Sequence, residues 1–355
     1  MKLIALKDVC KINMGQSPNS SSYNDYGDGM PFFQGNADFG ERYPITRVWC
    51  NTPTKIAQAE DILISVRAPI GALNYAKEEC CIGRGLAAIT PDRNKVSQDF
   101  IYWALKGKKA ELNDKGNGST FKAISRKILE ETMIPDINFE QQHKCAENLE
   151  KIYGIIQNRR KELLALDDLI KARFVEMFGD PVSNPKGWDM VELGELTGIG
   201  SSKRIFEKEY VSEGIPFYRT KEIVELSKGN SISTELYITE ERFAEIKEQY
   251  GVPKAGDLLI SAVGTIGIIW IVDGKNDFYF KDGNLIRVDS SDKFDSVYMK
   301  NLLENLIVEY KKQMSSGTAY AALTISGLTK MKVYDVPMEL QNQFADFVRQ
   351  VDKSK

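Results

Sequence analysis

The residue types that carry most enzymatic chemistry are sparse in this chain and do not fall at catalytic spacings. The 355 residues include one histidine, His143, in a polar helix-forming stretch with no nucleophile signature around it. GIGSSKR at 198–204 lacks the spacing of a phosphate-binding loop. No glycine-rich fingerprint follows a strand with an acidic residue about 20 positions on. We therefore expect no catalytic residue and no bound nucleotide cofactor.

Motifs for chemistry on DNA are also weak. Residues 51–54 read Asn-Thr-Pro-Thr and lack the aromatic residue that would stack on a flipped adenine. Glu245 and Lys247 resemble a fragment of a metal-dependent nuclease, but the charged stretch around them is typical of a solvated helix face. The five cysteines are odd in number and form no Cys-x-x-Cys pair, which predicts reduced structural thiols and no metal site.

Composition indicates a folded, soluble protein. The chain is 42% hydrophobic and 27% charged, and its length favours two or three domains. Its N-terminus has no signal-peptide pattern, and no apolar stretch reaches the roughly 20 residues that span a bilayer. We expect a cytoplasmic protein that does not bind membranes. The net charge of −3 leaves DNA binding open, since affinity for phosphates depends on where the cations cluster.

The chain repeats itself. AEDILISVRAPIG at 59–71 matches AGDLLISAVGTIG at 255–267 without a gap. Four further landmarks recur in the same order, which makes the chain a duplicated unit. They are GMPFFQG (29–35) with GIPFYRT (214–220), GNGSTFKAIS (116–125) with SSGTAYAALTIS (315–326), the steps Ile134-Pro135 and Val336-Pro337, and the polar stretches FEQQHKCAENL and ELQNQFADFV.

Each unit begins with short segments rich in β-branched and aromatic residues, broken by turn formers, which predicts a mixed α/β globule. The stretch 258–271 reads as buried strands around a turn. Segments 97–107 and 295–305 each predict a short amphipathic helix.

A heptad pattern follows the first unit. Apolar residues recur every seven positions after residue 140, with further apolar residues between them, and predict one long helix with a coiled-coil seam. The seam comprises Leu149, Ile152, Ile156, Leu163, Leu166, Ile170 and Met177. Arg159 and Arg173 interrupt it, so the seam needs a particular partner. The predicted helix has about 38 residues and therefore extends about 55 Å at 1.5 Å per residue. Gly179 and two prolines then end it.

This layout resembles the specificity subunits of type I restriction-modification systems. The resemblance covers essentially the whole chain. It depends on the repeated strand motif, the Gly-Ser/Thr-x-x-x-x-Ile-Ser loops and the central helix that ends in FVEMFGDP. It implies an α/β (mixed α+β) fold with two similar target-recognition globules separated by long coiled-coil-type helices. The expected parts are target-recognition domain 1 (1–139), a central conserved spacer helix (140–178), target-recognition domain 2 (179–338) and the start of a second conserved helix (339–355).

The resemblance also implies the partners. Each globule would bind one half of a bipartite double-stranded DNA site, and the central helix would set the unread spacer and dock methyltransferase subunits. About 55 Å corresponds to roughly 16 base pairs at 3.4 Å per step. The chain itself would be non-catalytic. Methyltransferase and motor-nuclease subunits would bind S-adenosylmethionine, ATP and Mg²⁺ and carry out adenine-N6 methylation and cleavage.

Polar and basic residues near predicted loop tips are the candidate DNA contacts, because base edges and phosphates are bound by such side chains. In the first unit they are Gln34, Asn36, Arg67, Arg84 and Lys122. In the second unit they are Arg204, Arg219, Lys221, Lys281 and Asn284. Gln34 and Arg219 carry extra weight because they occupy matching places in the repeat.

The family usually has a second long helix antiparallel to the central one, and here it runs only from about 339 to 355. We therefore expect the central helix to expose Leu163, Leu166 and Ile170 in a shortened subunit. A methyltransferase subunit or a second copy of the chain would cover them. Two alternative functions stay open: a fused enzyme that binds S-adenosylmethionine, and a scaffold whose globules bind protein and whose behaviour on DNA is insensitive to salt.

Overall fold

The fold is described from a computed structural model, which covers residues 2–116, 122–315 and 322–355. Tertiary contacts divide the chain into two compact units, unit 1 (Met1–Arg159) and unit 2 (Arg160–Lys355). Each unit has its own hydrophobic core.

Unit 1 is a mixed α/β globule. Its strands are β1 (Leu3–Ala5), β2 (Cys10–Met14), β3 (Tyr23–Asn24), β4 (Met30–Phe33), β5 (Trp49–Cys50), β6 (Ile56–Ala57), β7 (Ile62–Ser65), β8 (Leu73–Tyr75), β9 (Cys80–Ile82), β10 (Leu86–Pro91) and β11 (Met133–Pro135). Its helices are α1 (Leu6–Val9), α2 (Gln98–Gly107), α3 (Lys109–Asp114) and α4 (Arg126–Glu130), with 3₁₀ turns at Ser20–Ser22 and Asn36–Asp38. Helix α5 (Phe139–Phe178) begins in unit 1 and ends in unit 2.

Unit 2 has a related order of elements. Its strands are β12 (Asp189–Glu192), β13 (Ile199–Gly200), β14 (Ile215–Tyr218), β15 (Tyr237–Ile238), β16 (Leu258–Ser261), β17 (Ile269–Ile271), β18 (Tyr279–Phe280), β19 (Leu285–Val288) and β20 (Lys332–Asp335). Its helices are α6 (Leu193–Leu196), α7 (Thr220–Ser227), α8 (Glu240–Gln249), α9 (Ser296–Ser315), α10 (Ile325–Thr329) and α11 (Met338–Asp352), with a 3₁₀ turn at Glu207–Glu209. Helices α7 and α8 lie between β14 and β16, where unit 1 has a 3₁₀ turn and two short strands.

The sheets confirm the duplication. A four-stranded antiparallel sheet has the order β2-β10-β7-β8 in unit 1 and β13-β19-β16-β17 in unit 2. A two-stranded sheet, β1-β11 or β12-β20, pairs the first and last strands of each unit. A parallel pair, β4 with β9 or β14 with β18, lies in a further sheet of each unit. The repeated sequence landmarks therefore mark two copies of one strand topology.

The repeated motif at 59–71 and 255–267 builds a loop in each unit. Asp61 and Asp257 are buried and accept backbone N–H bonds from Gln58 and Lys254, both at 2.9 Å. At the end of the strand, Ser65 accepts the N–H of Ala72 at 2.9 Å, and Ser261 binds the chain in the same way. Gly71 and Gly267 have φ of +84° and +86°, which other residues adopt only with strain. The motif is a structural turn, and the predicted strands within it are confirmed.

A buried glutamine attaches one long helix to each unit. The Gln142 amide accepts the N–H of Ser97 at 2.7 Å and donates to the Ile137 carbonyl at 2.8 Å. The Gln341 amide makes the same two bonds, to Asp295 and Val336, at 2.9 Å each. The first turns of α5 and α11 are therefore equivalent, and Gln142 and Gln341 align the two helices residue by residue.

The two halves of the α5 seam are covered differently. In unit 2, Ile170 is only 7% exposed and packs in the core with Phe174 and Val348 of α11. Leu163 and Leu166 are half-buried, and Leu166 and Met177 pack against that core. The prediction that α5 exposes Leu163, Leu166 and Ile170 was therefore wrong at Leu166 and Ile170, which pack with the core that includes α11, while Leu163 is half-buried.

The exposed part of the seam lies in unit 1. Leu149, Ile152 and Ile156 are 41%, 53% and 44% exposed, and neighbouring Ile155 is 68% exposed. The α11 residues at the positions of Leu149 and Ile152 are Val348 and Val351, which are both buried. The apolar seam of α5 is thus satisfied in unit 2 and open in unit 1 among the described residues.

Other predicted elements have different outcomes. The helix predicted at 97–107 is confirmed as α2, and the charged helix near 245 as α8. The helix predicted at 295–305 is longer than expected, since α9 continues to Ser315. The Gly-Ser/Thr loops fall partly at 117–121 and 316–321, outside the described residues. The predicted domain boundaries stay predictions.

Candidate nucleic-acid interface

Five segments of unit 1 meet at one end of its sheets. The Ile82 carbonyl at the end of β9 accepts the N–H of Gln16, and the Gln34 carbonyl accepts the N–H of Gly85. Val66 then donates to the Gly85 carbonyl at 2.9 Å, and Ala68 donates to the Lys122 carbonyl at 3.1 Å. We call the loops 15–18, 34–36, 66–71 and 83–85 together with Lys122 the strand-end surface of unit 1.

The structure brings the predicted contact residues of unit 1 onto this surface. Gln34 directly follows β4, Asn36 begins the next 3₁₀ turn, and Arg84 follows β9. Arg67 follows β7 and forms a β-bridge with Ala123, beside Lys122. Arg67, Arg84 and Lys122 are exposed and form no salt bridge with any described residue. These three cations are therefore available to an anionic partner.

A concavity of about 700 Å³ opens on the same surface. Its apolar wall contains Val48 and the stacked rings of Tyr23 and Phe32, whose centroids are 4.7 Å apart. Burial raises the pKa of Tyr23, and its hydroxyl donates to the Pro18 carbonyl at 2.9 Å. Gln34, Asp38 and Arg84 supply polar groups to its lining. The concavity thus combines an aromatic wall with hydrogen-bonding groups.

Unit 2 forms an equivalent surface. The Tyr218 carbonyl accepts the N–H of Lys281 at 2.9 Å, as the Phe33 carbonyl accepts the N–H of Gly83 at 2.8 Å in unit 1. The Asn284 carbonyl accepts the N–H of Ala262 at 2.8 Å. We call the loops 201–204, 262–267 and 281–284, together with residues 219–221 at the start of α7, the strand-end surface of unit 2. All five predicted contact residues of unit 2 lie in these segments.

Charges on the surface of unit 2 are mostly paired. Arg204 lies 2.7 Å from Asp282. Arg219 and Lys221 lie 3.3 and 3.5 Å from the buried carboxylate of Glu222. Lys281 forms no salt bridge with a described residue. Arg204, Arg219 and Lys221 must therefore exchange protein carboxylates for any anionic ligand, unlike Lys281 and the three cations of unit 1.

Three buried polar atoms on the strand-end surface of unit 2 have no hydrogen-bond partner among the described residues. They are Ser202 Oγ, Arg219 Nε and Thr220 Oγ1. Nearby, burial raises the pKa of Tyr279, whose hydroxyl accepts the N–H of Lys203.

Sequence reasoning missed three residues that belong to these surfaces. Ser17 bonds both Gln34 and Arg84. Lys109 lies against Gly71, whereas Ile307 packs against the equivalent Gly267 of unit 2, and Lys311 donates to the neighbouring Ile266 carbonyl at 3.2 Å. Lys109 and Lys311 are far in sequence from the loops they contact. No local motif pointed to either lysine.

No group of three or more acidic, histidine or cysteine side chains in the described ranges is arranged to hold a metal ion. None of the helices within those ranges has the length and apolarity needed to cross a membrane.

Comparison with known proteins identifies the class. The family described as "Type I restriction modification DNA specificity domain" matches residues 1–166 and 185–355, nearly the whole chain. The two matches coincide with the two copies of the duplicated fold. The chain belongs to this family.

Individual relatives agree. A putative type I restriction enzyme MjaX specificity subunit of Methanocaldococcus jannaschii is 47% identical over 152 residues, 43% of this chain and 36% of that protein. The MjaIX specificity subunit of the same organism is 27% identical over 263 residues, 66% of this chain and 60% of that protein. The chain thus matches between about a third and three fifths of these relatives.

A solved structure extends the similarity in fold. The type I restriction-modification S subunit from M. genitalium superposes with a TM-score of 0.60. The superposition covers 99% of this chain and 89% of that one at 17% identity. At this identity the likeness shows the shared fold, including its duplication.

Proposed function

We propose that this chain is the specificity subunit of a type I restriction-modification complex, in which each unit reads one half of a bipartite double-stranded DNA site. The observation that supports this most strongly is the pair of strand-end surfaces. Two copies of one fold present arginine, lysine and amide side chains at matching loops, and those loops differ in sequence. Phosphate contacts would position each unit, while base-edge contacts would supply specificity.

Helix α5 has two roles in this proposal. It sets the number of unread base pairs between the half-sites, and its open seam in unit 1 binds methyltransferase subunits. Exposed Ile152, Ile155 and Ile156 support the second role, because a contiguous apolar face needs a partner. The partner subunits, including motor-nuclease subunits, would bind S-adenosylmethionine, ATP and Mg²⁺. The chain itself would contribute recognition and no catalytic step.

The test is to co-express the chain with the methyltransferase subunit encoded beside it, in a host without other adenine methyltransferases. N6-methyladenine would then be mapped across the genome. We expect a split motif of two short defined blocks separated by unspecified bases. An assembled complex that adds no methylation, or a chain retained on DNA independently of salt, would support a protein-binding scaffold instead.

The unpaired cations of unit 1 lead to a prediction about salt. Arg67→Ala and Lys122→Ala should each make the dependence of log affinity on log salt concentration shallower by about one, since each loses about one phosphate contact. The relative preference among DNA sequences should not change. Fluorescence anisotropy of the assembled complex at several salt concentrations measures both quantities.

Lys95→Ala is the matched control. Lys95 is also an exposed cation of unit 1, but it follows the far end of β10 and pairs with Asp92 at 3.4 Å. It should leave the salt dependence unchanged. An equal effect of all three substitutions would mean that general charge, and not the strand-end surface, governs binding.

A further inference from the structure

Ser17 and Gln34 form a clasp between three loops of unit 1. The Ser17 hydroxyl donates to Gln34 Oε1 at 3.1 Å and accepts from Gln34 Nε2 at 2.9 Å. It also accepts the backbone N–H of Arg84 at 3.2 Å. One hydroxyl therefore ties the loop after β2 to the loops after β4 and β9.

Close backbone approach tightens the clasp. A β-carbon on Gly83 would lie 2.6 Å from Gln34 Oε1, and one on Gly85 would lie 2.4 Å from the Gln34 carbonyl oxygen. The backbone of both glycines that flank Arg84 thus packs directly against Gln34, with no room for a side chain. The Gln34 backbone is held in turn by the Asp38 carboxylate, which accepts its N–H at 2.8 Å. The position of the Arg84 backbone is set by Ser17 and Gln34.

The clasp also decides what Gln34 is free to do. A glutamine reads adenine by presenting its amide oxygen and nitrogen together to the base edge. Here both atoms already bond the single Ser17 oxygen, so that oxygen occupies the position between them that an adenine would need. In the chain alone, Gln34 thus holds the loop and does not present a free amide.

Arg84 is the free group at this place. Its side chain is exposed on the rim of the concavity that contains Tyr23 and Phe32, and it forms no salt bridge with a described residue. A guanidinium presented from a fixed backbone matches the two acceptors of guanine, O6 and N7, and this pairing is the commonest specific contact in the major groove.

The equivalent loop in unit 2 has an acidic residue, Asp282, beside Lys281. Asp282 follows Lys281 as Arg84 follows Gly83, and the two loops start from the same interstrand bond. Asp282 is held by Arg204, which comes from the loop after β13 as Ser17 comes from the loop after β2. The two loops share their first and last interstrand bonds, but the loop of unit 2 is one residue longer (281–284 against 83–85), and the side chains that the two loops present differ. That is the pattern expected at a specificity-determining position.

We infer that Arg84 reads a guanine in the half-site of unit 1, and that Ser17 and Gln34 are positioning residues that fix its loop. The inference rests on the proposed function and names the residue and the base for one half-site. It also assigns Gln34 a role different from direct base contact.

The experiment uses the full chain co-expressed with its methyltransferase partner, with N6-methyladenine mapped on a library of randomised target sites. Arg84→Ala should lower the preference for guanine at one base pair of one block by about ten- to a hundredfold. Arg84→Lys should restore it only in part, because lysine cannot form the bidentate contact. Ser17→Ala and Gln34→Leu should weaken the preference at the same base pair, and Ser17→Thr, which keeps the hydroxyl, should retain it.

Two internal controls separate positioning from damage. Lys95→Ala removes an exposed cation of unit 1 away from the strand-end surface and should change nothing. The block read by unit 2 should stay intact in every variant, which shows that the complex still assembles and binds.

The outcomes are distinct. If Gln34→Leu changes a different base pair from Arg84→Ala, then Gln34 reads a base and the clasp is wrong. If Arg84→Ala weakens methylation of all sites equally, then Arg84 contacts phosphate and the inference is wrong. If the unsubstituted complex yields no split motif, the proposed function itself fails and the inference fails with it.

Discussion

Phe174→Ala is expected to destabilise unit 2 by about 3–5 kcal/mol, the usual range for removing a phenylalanine ring from a packed core. Phe174 is only 1% exposed, and its ring lies 5.1 Å from that of Phe178 and 5.4 Å from that of Phe344. Few residues of α5 are as deeply buried as Phe174. Urea denaturation that follows the unfolding of unit 2 measures the decrease in its free energy of unfolding.

Leu164→Ala is the control for this substitution. Leu164 lies on the same helix in unit 2 but is 64% exposed, so its removal should cost well under 1 kcal/mol. Equal destabilisation by both substitutions would mean that the end of α5 is not anchored in the core of unit 2.

Ile156→Asp is expected to weaken binding of the methyltransferase subunit about tenfold or more, since a buried unpaired charge costs at least a few kcal/mol. The fold of unit 1 should be unaffected, because Ile156 is half exposed in the chain alone. Ile152→Asp should act in the same way. Co-purification and titration of the two purified subunits measure the effect, and circular dichroism checks the fold.

Asn158→Asp provides the comparison. It adds the same charge to an exposed position of α5, two residues from Ile156 but on a different side of the helix. Binding should stay within about twofold of the unsubstituted chain. If Ile156→Asp binds the methyltransferase normally but loses self-association, the open seam joins two copies of the chain.

The duplication was readable from the sequence, because each repeated landmark has a structural cause. Asp61 and Asp257 bond the same turn, Gly71 and Gly267 adopt the same positive φ, and the strands between them pair alike. Local interactions of this kind require particular residue types at nearby positions, and a sequence repeat shows them. The long helix was readable for the same reason, since its seam repeats every seven residues.

The sequence did not predict which element packs against the apolar seam of α5. A heptad pattern shows that a face is apolar but does not show which element packs against it. The prediction failed at Leu166 and Ile170 because α11, although short, is long enough to lie against that part of α5. The open part of the seam is nearer the start of α5, at Leu149 to Ile156.

The site was partly readable. Arginine and glutamine at loop tips suggested the candidate contacts, and the structure gathers those of each unit on one surface. Ser17 was missed because its bonds to Gln34 and Arg84 depend on β4 pairing in parallel with β9, which joins segments about 50 residues apart. Which of the contacts bind bases stays a prediction.

The most direct test of the central claim, that each unit reads one half of the site, is an exchange. Residues 1–139 would be replaced by the corresponding region of another member of the family, and N6-methyladenine would be mapped for the assembled complex. We predict that one block of the split motif changes while the other block and the spacer length stay the same. A change in both blocks, or in neither, would contradict the assignment of one half-site to each unit.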